Sequence, residues 1–165
     1  MLKDKKNILD FGSGPGGNTK LLACNLTNKN FYLLDYSLKA IEFAQNNYLG
    51  NRDSRGNSFY YFDDIDSVSK KSFDAILALE ILEHIIDYQE LLNSLWNLLE
   101  KSGILIISVP VKGLRDRHRE HVNHFTVRSM FDILSKYSEW VHICPRTYSQ
   151  RSGILACALF YIYKT

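Results

Sequence analysis

ILDFGSGPGGNT, residues 8–19, is an apolar run that breaks into a glycine turn and then opens a helix. A short run of this kind, bounded by glycines, reads as a strand. Gly12, Gly14 and Gly17 match the spacing G-x-G-x-x-G. Glycines in such a turn let backbone N–H groups approach a ligand with no Cβ in the way. The helix that follows adds a positive dipole end. The spacing alone is a weak signal, and its context strengthens it. Residues 31–34 read as the next strand, and Asp35 stands at its end, 21 residues beyond Gly14. An acid there accepts hydrogen bonds from both hydroxyls of an adenosine ribose. The plain alternative is a tight turn followed by a surface aspartate.

Outward from this unit, short β-branched or aromatic runs alternate with longer segments of helical period. That alternation predicts a parallel sheet with helices on both faces. Strands are expected over 7–11, 31–34, 59–62, 75–79, 104–109, 141–144 and 154–163. The last two share a short link and are expected to run antiparallel, and Pro110 is expected to stop the fifth. Helices are expected over 17–26, over 37–48 with Ser37 as N-cap, from Asp87 to the break at Gly103, and from Thr126 to about Tyr137. Asp87 and Glu90 have capping-box spacing. Leu91, Leu92, Leu95, Leu98 and Leu99 form an apolar stripe, and Phe131, Leu134 and Tyr137 are expected to face inward.

The chain has 165 residues, 45% hydrophobic and 23% charged, which fits one globular domain and excludes disorder. A net charge of +2 is too small to argue for nucleic acid or a membrane from charge alone. Cys24, Cys144 and Cys157 are odd in number and lack paired spacing. Buried, reduced thiols are expected, and no structural zinc site. The longest apolar run, 154–163, is about half of what a membrane helix needs. The N-terminus has no secretory pattern. A cytoplasmic protein with no membrane association is the expectation.

Three features favour S-adenosylmethionine over a nicotinamide dinucleotide. Asp10 lies two residues before the first glycine, where dinucleotide-binding domains usually carry an apolar residue. Pro15 with Gly16 and Gly17 broadens the loop. The closing antiparallel pair leaves no further strand–helix–strand unit. ILDFGSGPGGNT, LLDYSLKAIEFA, FDAILALEILEHI, LLEKSGILIISVP and HVNHFT follow in the order of class I S-adenosylmethionine-dependent methyltransferases, which the chain resembles over nearly its whole length. The EILEHI block resembles the branch with ubiquinone-biosynthesis O-methyltransferases. The implied fold is α/β and Rossmann-like: a seven-stranded, mostly parallel sheet with the last strand antiparallel.

The resemblance implies a site residue by residue. Asp10 would orient the glycine loop and reach the methionine ammonium. Gly12 and Gly14 would contact the methionyl and ribosyl parts, Asp35 the ribose hydroxyls, and Tyr36 one adenine face. Asp63 or Asp64 would accept from the adenine amino group, with Ile65 lining the same pocket; a solvated acidic turn is the competing reading. Glu80 ends the fourth strand and would point at the reactive end of the cofactor. Glu80, Glu83 and His84 form E-x-x-E-H, and on a helical turn these positions share one face. The same block is a metal site in some relatives, including ubiquinone-pathway and small-RNA 2′-O-methyltransferases, and in the RNA enzymes a further histidine from the loop after the fifth strand completes it. A divalent cation such as Mg is therefore one expectation. Local pairing of Glu83 and packing of His84 is the other.

That loop carries His118, His121 and His124, with Lys112, Arg115, Arg117 and Arg119 against Asp116 and Glu120. It suits an anionic acceptor, and equally a solvated loop. An oxygen nucleophile needs its proton removed by a group titrating near neutrality. His121 is the first choice, then His84 and His124. The main expectation is a methyl transfer to a small-molecule acceptor, on oxygen. The alternatives are a metal-assisted RNA-terminal methyltransferase, a dehydrogenase, and a non-catalytic cofactor-binding partner subunit. The last is supported by the six residues before the first strand, too few for the cover helix usual in the family; another subunit would supply that cover, or the long loop would, or the site is open.

Overall fold

The computed structural model describes residues 1–111, 120–150 and 153–165, with side chains for all of these except 48, 145–150 and 153–156. The strands are β1 (Asn7–Phe11), β2 (Asn30–Leu34), β3 (Ser58–Phe62), β4 (Phe73–Leu79), β5 (Leu99–Pro110), β6 (Val141–Gln150) and β7 (Gly153–Tyr163). The helices are α1 (Gly17–Ala23), α2 (Leu38–Phe43), α3 (Tyr88–Leu98) and α4 (Val127–Leu134). One sheet takes the order β3-β2-β1-β4-β5-β7-β6. Strands β1 to β5 pair in parallel, and β7 pairs antiparallel with both β5 and β6.

Each central strand feeds two cores because successive side chains point to opposite faces. In β5, Leu105, Ile107 and Val109 join one core, while Ile104 and Ile106 join the other. In β1, Leu9 and Phe11 oppose Ile8 in the same way. Burial on both faces explains why these strands read as unbroken apolar runs. Helices α3 and α4 supply Leu92, Leu95, Leu98, Met130 and Leu134 to the first core, and α1 and α2 supply Ala23 and Ile41 to the second. Among the described residues, no helix is long and apolar enough to cross a membrane.

Several expected boundaries shift for local reasons. Helix α3 starts as expected, with the Asp87 side chain accepting from Glu90 N–H at 3.0 Å. It ends at Leu98 and not at Gly103, because Leu99 is extended and pairs with Phe73. The last leucine of the stripe thus packs from a strand. Pro110 lies inside β5, not beyond it. Past Ser108, β5 has only β7 as a neighbour, and a residue lacking N–H is tolerated there. Helix α1 stops at Ala23, and Leu21 points to solvent while Thr19 and Ala23 turn inward. Helix α2 gives way to π-helical turns over Ala44–Leu49. In α4, Met130 and Leu134 are buried and Phe131 faces outward. Cys24 is exposed, and Cys144 and Cys157 are half-buried, so burial of all three thiols does not hold.

The inward register of α3 and α4 makes a direct prediction. Leu95→Ala, at a fully buried site, lowers unfolding stability in urea by about 2–5 kcal/mol, whereas Phe131→Ala costs less than about 1 kcal/mol. Equal costs would contradict this packing.

Candidate functional site

In the strand order, the chain steps from β1 outward through β2 and β3, then returns to β4 on the other side of β1. Connections leave β1 and β4 in opposite directions, which opens a crevice at their carboxyl ends. The glycine loop lies there. Gly12 and Ser13 N–H both donate to the Leu34 carbonyl, at 2.8 and 3.0 Å, which fastens the loop to β2. Gly12 has φ +69°, and a Cβ on it would lie 2.0 Å from Ile81 Cδ1, so only glycine fits beneath that side chain. Gly14, at φ +52°, has nothing within 4 Å of the place a Cβ would take, so its surface is open.

The Asp35 carboxylate ties the two strand ends together. Its Oδ2 accepts from Gly14 N–H at 2.7 Å and its Oδ1 from Ser37 N–H at 2.9 Å. A carboxylate has about four acceptor positions, so each oxygen keeps one for a ligand hydroxyl. Tyr36 is exposed, with its ring edge-on to Phe11 at 6.5 Å. A pocket of about 160 Å³ opens between these groups, lined by Phe11, Gly12, Asp35, Tyr36, Ile81 and His84 among others.

Asp10 lies beneath the loop, fully enclosed, and accepts from Thr19 Oγ1 at 2.6 Å. Burial pushes its carboxyl from 3.8 up to about 6; the Thr19 hydrogen bond opposes the rise and the Asp35 charge adds to it. Ser13 Oγ, in the same loop, is buried with no hydrogen-bond partner among the described residues. A buried anion, a buried hydroxyl and an open backbone suit a ligand that brings a cation and polar groups.

At the end of β3, Asp63 is exposed and Ile65 packs against the first core. Asp64 accepts from both Ser67 N–H and Ser67 Oγ, at 2.8 and 2.6 Å, and these bonds hold its carboxyl below the usual range. Of the two acids, Asp64 is thus engaged in a local turn.

The E-x-x-E-H block divides. Glu80 takes φ +56°, and its Oε1 accepts from Ser108 Oγ on β5 at 2.6 Å. The residues Leu82–His84 form a 3₁₀ turn that buries Glu83 and turns His84 outward onto the pocket wall. His84 Nδ1 lies 3.2 Å from the Glu120 carbonyl oxygen, and its ring meets His121 edge-on at 4.8 Å. His121 stands behind His84 and is not among the pocket-lining residues. His124 is exposed, and His118 falls in 112–119, outside the described residues, as do Lys112, Arg115, Asp116, Arg117 and Arg119.

Glu83, His84 and His121 each offer one ligand atom, all within 4.8 Å of one another. Glu80 is not in this group; its carboxylate is turned to Ser108. One carboxylate and two imidazoles do not match magnesium, which takes oxygen ligands. The expected Mg site at Glu80, Glu83 and His84 is therefore not assembled, and no chemical step is derived through it. Sequence reasoning passed over Ile81, Ser108 and Asn123. Of these, only Asn123 left a trace, as the one non-histidine polar residue inside HVNH.

A family model described as a methyltransferase domain matches residues 1–142, and the chain belongs to that family. The tRNA U34 carboxymethyltransferase of Ruthia magnifica subsp. Calyptogena magnifica is 35% identical over 112 residues, covering 64% of this chain. The match takes in 33% of that protein, so the chain spans about a third of the length of the curated relative it matches. Solved structures share the fold. The N-methyltransferase NodS of Bradyrhizobium japonicum WM9, in complex with S-adenosylhomocysteine, has TM-score 0.74 at 20% identity, covering 97% of this chain and 78% of that one. Phosphoethanolamine N-methyltransferase 2 of Haemonchus contortus, in complex with S-adenosylmethionine, has TM-score 0.76 at 15% identity, covering 99% and 50%.

The enclosure of Asp10 gives a pH signature. Its folded pKa is raised, so between about pH 4 and 6 the folded state holds a proton that the unfolded state has lost, and stability falls as pH rises through that window. Asp10→Asn removes this dependence. The variant should gain on the wild type by on the order of 2–3 kcal/mol between pH 4 and 7 in urea unfolding. A stability difference that stays constant with pH would contradict the assignment.

Proposed function

We propose that this chain is an S-adenosylmethionine-dependent methyltransferase acting on a hydroxyl of a small-molecule acceptor, with His84 as the base. The observation that carries the reading is the Asp35 carboxylate bonded to Gly14 N–H beside a pocket walled by His84. Asp35 and Gly14 would hold the ribose, Tyr36 would cover one adenine face, and the Asp10 charge would favour the methionyl cation. When bound, the cofactor supplies a methyl group already activated on sulfonium.

What remains for the protein is alignment and removal of a proton. A carbonyl oxygen only accepts, so in the contact with Glu120 it is Nδ1 of His84 that carries the proton. Nε2 then keeps its lone pair. With the methyl group that the bound cofactor would supply, the acceptor oxygen would form the new carbon–oxygen bond as S-adenosylhomocysteine departs, and the hydroxyl proton would go to Nε2 of His84. A base in that tautomer is what supports oxygen as the acceptor atom. The net charge of +2 supports a small acceptor over a polyanion. The 35% identity to a tRNA-modifying enzyme favours RNA as a second reading.

Calorimetry with S-adenosylhomocysteine tests the cofactor assignment. Binding is expected in the wild type and at least about tenfold weaker in Asp35→Ala, where a charge-assisted hydrogen bond is lost. No binding by the wild type would overturn the proposal. Labelled S-adenosylmethionine, offered with a metabolite extract and with total RNA, separates the acceptors; label in RNA would favour the second reading. With the acceptor in hand, His84→Gln should lower the transfer rate by about 10²–10⁴ while leaving cofactor affinity nearly unchanged. Chelation by EDTA should not slow transfer, and loss of activity on chelation would contradict the metal-free route.

A further inference from the structure

Asn123 makes three hydrogen bonds to one turn. Its Nδ2 donates to the Leu82 carbonyl at 3.0 Å and to the Ile85 carbonyl at 2.6 Å, and its backbone N–H donates to the Glu83 carbonyl at 3.1 Å. The neighbouring Val122 N–H donates to the same Glu83 carbonyl at 2.8 Å. Within the turn, the Ile85 N–H to Leu82 carbonyl bond is long, at 3.4 Å. A second bond within the turn, from His84 N–H to the Ile81 carbonyl at 3.0 Å, is of normal length, and the four bonds from Asn123 and Val122 add to these two.

The Asn123 end of this clamp is itself fixed. Phe125, two residues on, is buried and bridges to Val111 at the end of β5. Thr126 then opens α4 through a capping box with Ser129. The clamp thus ties the segment that begins at Glu120 to the turn that carries His84. The Glu120 carbonyl belongs to one of these segments and the His84 ring to the other, so the separation between Nδ1 and that carbonyl follows how the two segments are held together.

We propose that Asn123 is a positioning residue that sets the tautomer of His84. It rests on the reading of His84 as the base. Side-chain chemistry explains why an amide is needed. One planar nitrogen with two protons bridges two carbonyls in the same turn. An aspartate would set a carboxylate against both carbonyl oxygens, and an alanine would remove this donor from the Ile85 carbonyl and leave the Leu82 carbonyl only the long bond from Ile85 N–H. In either variant the two side-chain bonds are lost and only the backbone bonds from Val122 and Asn123 to the Glu83 carbonyl still join the turn to the 120–125 segment, so the turn around His84 loosens. The Glu120 carbonyl then no longer selects Nδ1–H, and protonation at Nε2 removes the lone pair from the pocket.

Nitrogen-15 NMR of the full chain at about pH 8, where imidazole is neutral, reads the tautomer directly. The wild type is expected to show His84 as the Nδ1–H form. Asn123→Ala and Asn123→Asp are expected to show a mixture with a substantial Nε2–H population, while S-adenosylhomocysteine affinity stays within about twofold. An unchanged tautomer in variants that still bind the nucleoside would overturn the proposal. Should both variants fail to fold, exchange of the two Asn123 Nδ2 protons in the wild type decides. Slow exchange of both supports the clamp, and exchange at the rate of an exposed amide overturns it. Absence of nucleoside binding in the wild type would instead count against the cofactor assignment, because the tautomer is measured without it.

Discussion

The bond from Gly14 N–H to the Asp35 carboxylate joins the first loop of the fold to the end of the second strand. The sheet order puts those two ends side by side, and the left-handed glycines let the loop lie flat enough to reach. An alanine at Gly12 would strike Ile81, so the loop and the 81–85 turn are packed as a unit. The glycine wall of the pocket therefore rests on a left-handed backbone that residues with a β-carbon adopt only under strain. The Asp10–Thr19 bond lies under this arrangement and leaves a buried anion close to the second carboxylate, Asp35. The Asp35 charge adds to the rise that burial gives the Asp10 carboxyl, and a cationic ligand would offset it.

The wall that carries His84 is built differently. There the backbone is irregular: a left-handed Glu80, then a single 3₁₀ turn, then a loop that returns across it. Such segments hold their shape only when side chains satisfy their carbonyls. Asn123 does so for the Leu82 and Ile85 carbonyls, and at the start of the turn Ser108 Oγ accepts from the Glu80 N–H and donates to the Glu80 carboxylate. Neither residue contributes a ring or charge to the pocket, yet the His84 imidazole is aimed by the frame they make. The division fits general expectation for α/β proteins, where the cofactor side is set by regular elements and the variable chemistry by loops.

The glycine loop and its acid were legible from spacing read in its strand–turn–helix context. Gly12, Gly14 and Asp35 are separated by distances that a strand, a turn and a helix impose, and the structure joins Gly14 to Asp35 directly. The wall that carries His84 was less legible because its contacts are long-range. Nothing in E-x-x-E-H says that Glu80 will turn to Ser108, 28 residues away, while His84 reaches a carbonyl 36 residues away. Helical spacing put three ligands on one face, but the segment is a strand end followed by one tight turn. Element boundaries failed for a similar reason. Leu99 continues a leucine stripe, and only its pairing with Phe73 makes it a strand residue.

The central claim is a nucleoside held at the carboxyl ends of β1 and β2. Amide chemical-shift mapping with S-adenosylhomocysteine addresses it most directly. Saturable shifts concentrated at Gly12, Gly14, Asp35 and Tyr36 are the expected result. Shifts absent at saturating nucleoside, or confined to the opposite edge of the sheet, would contradict it.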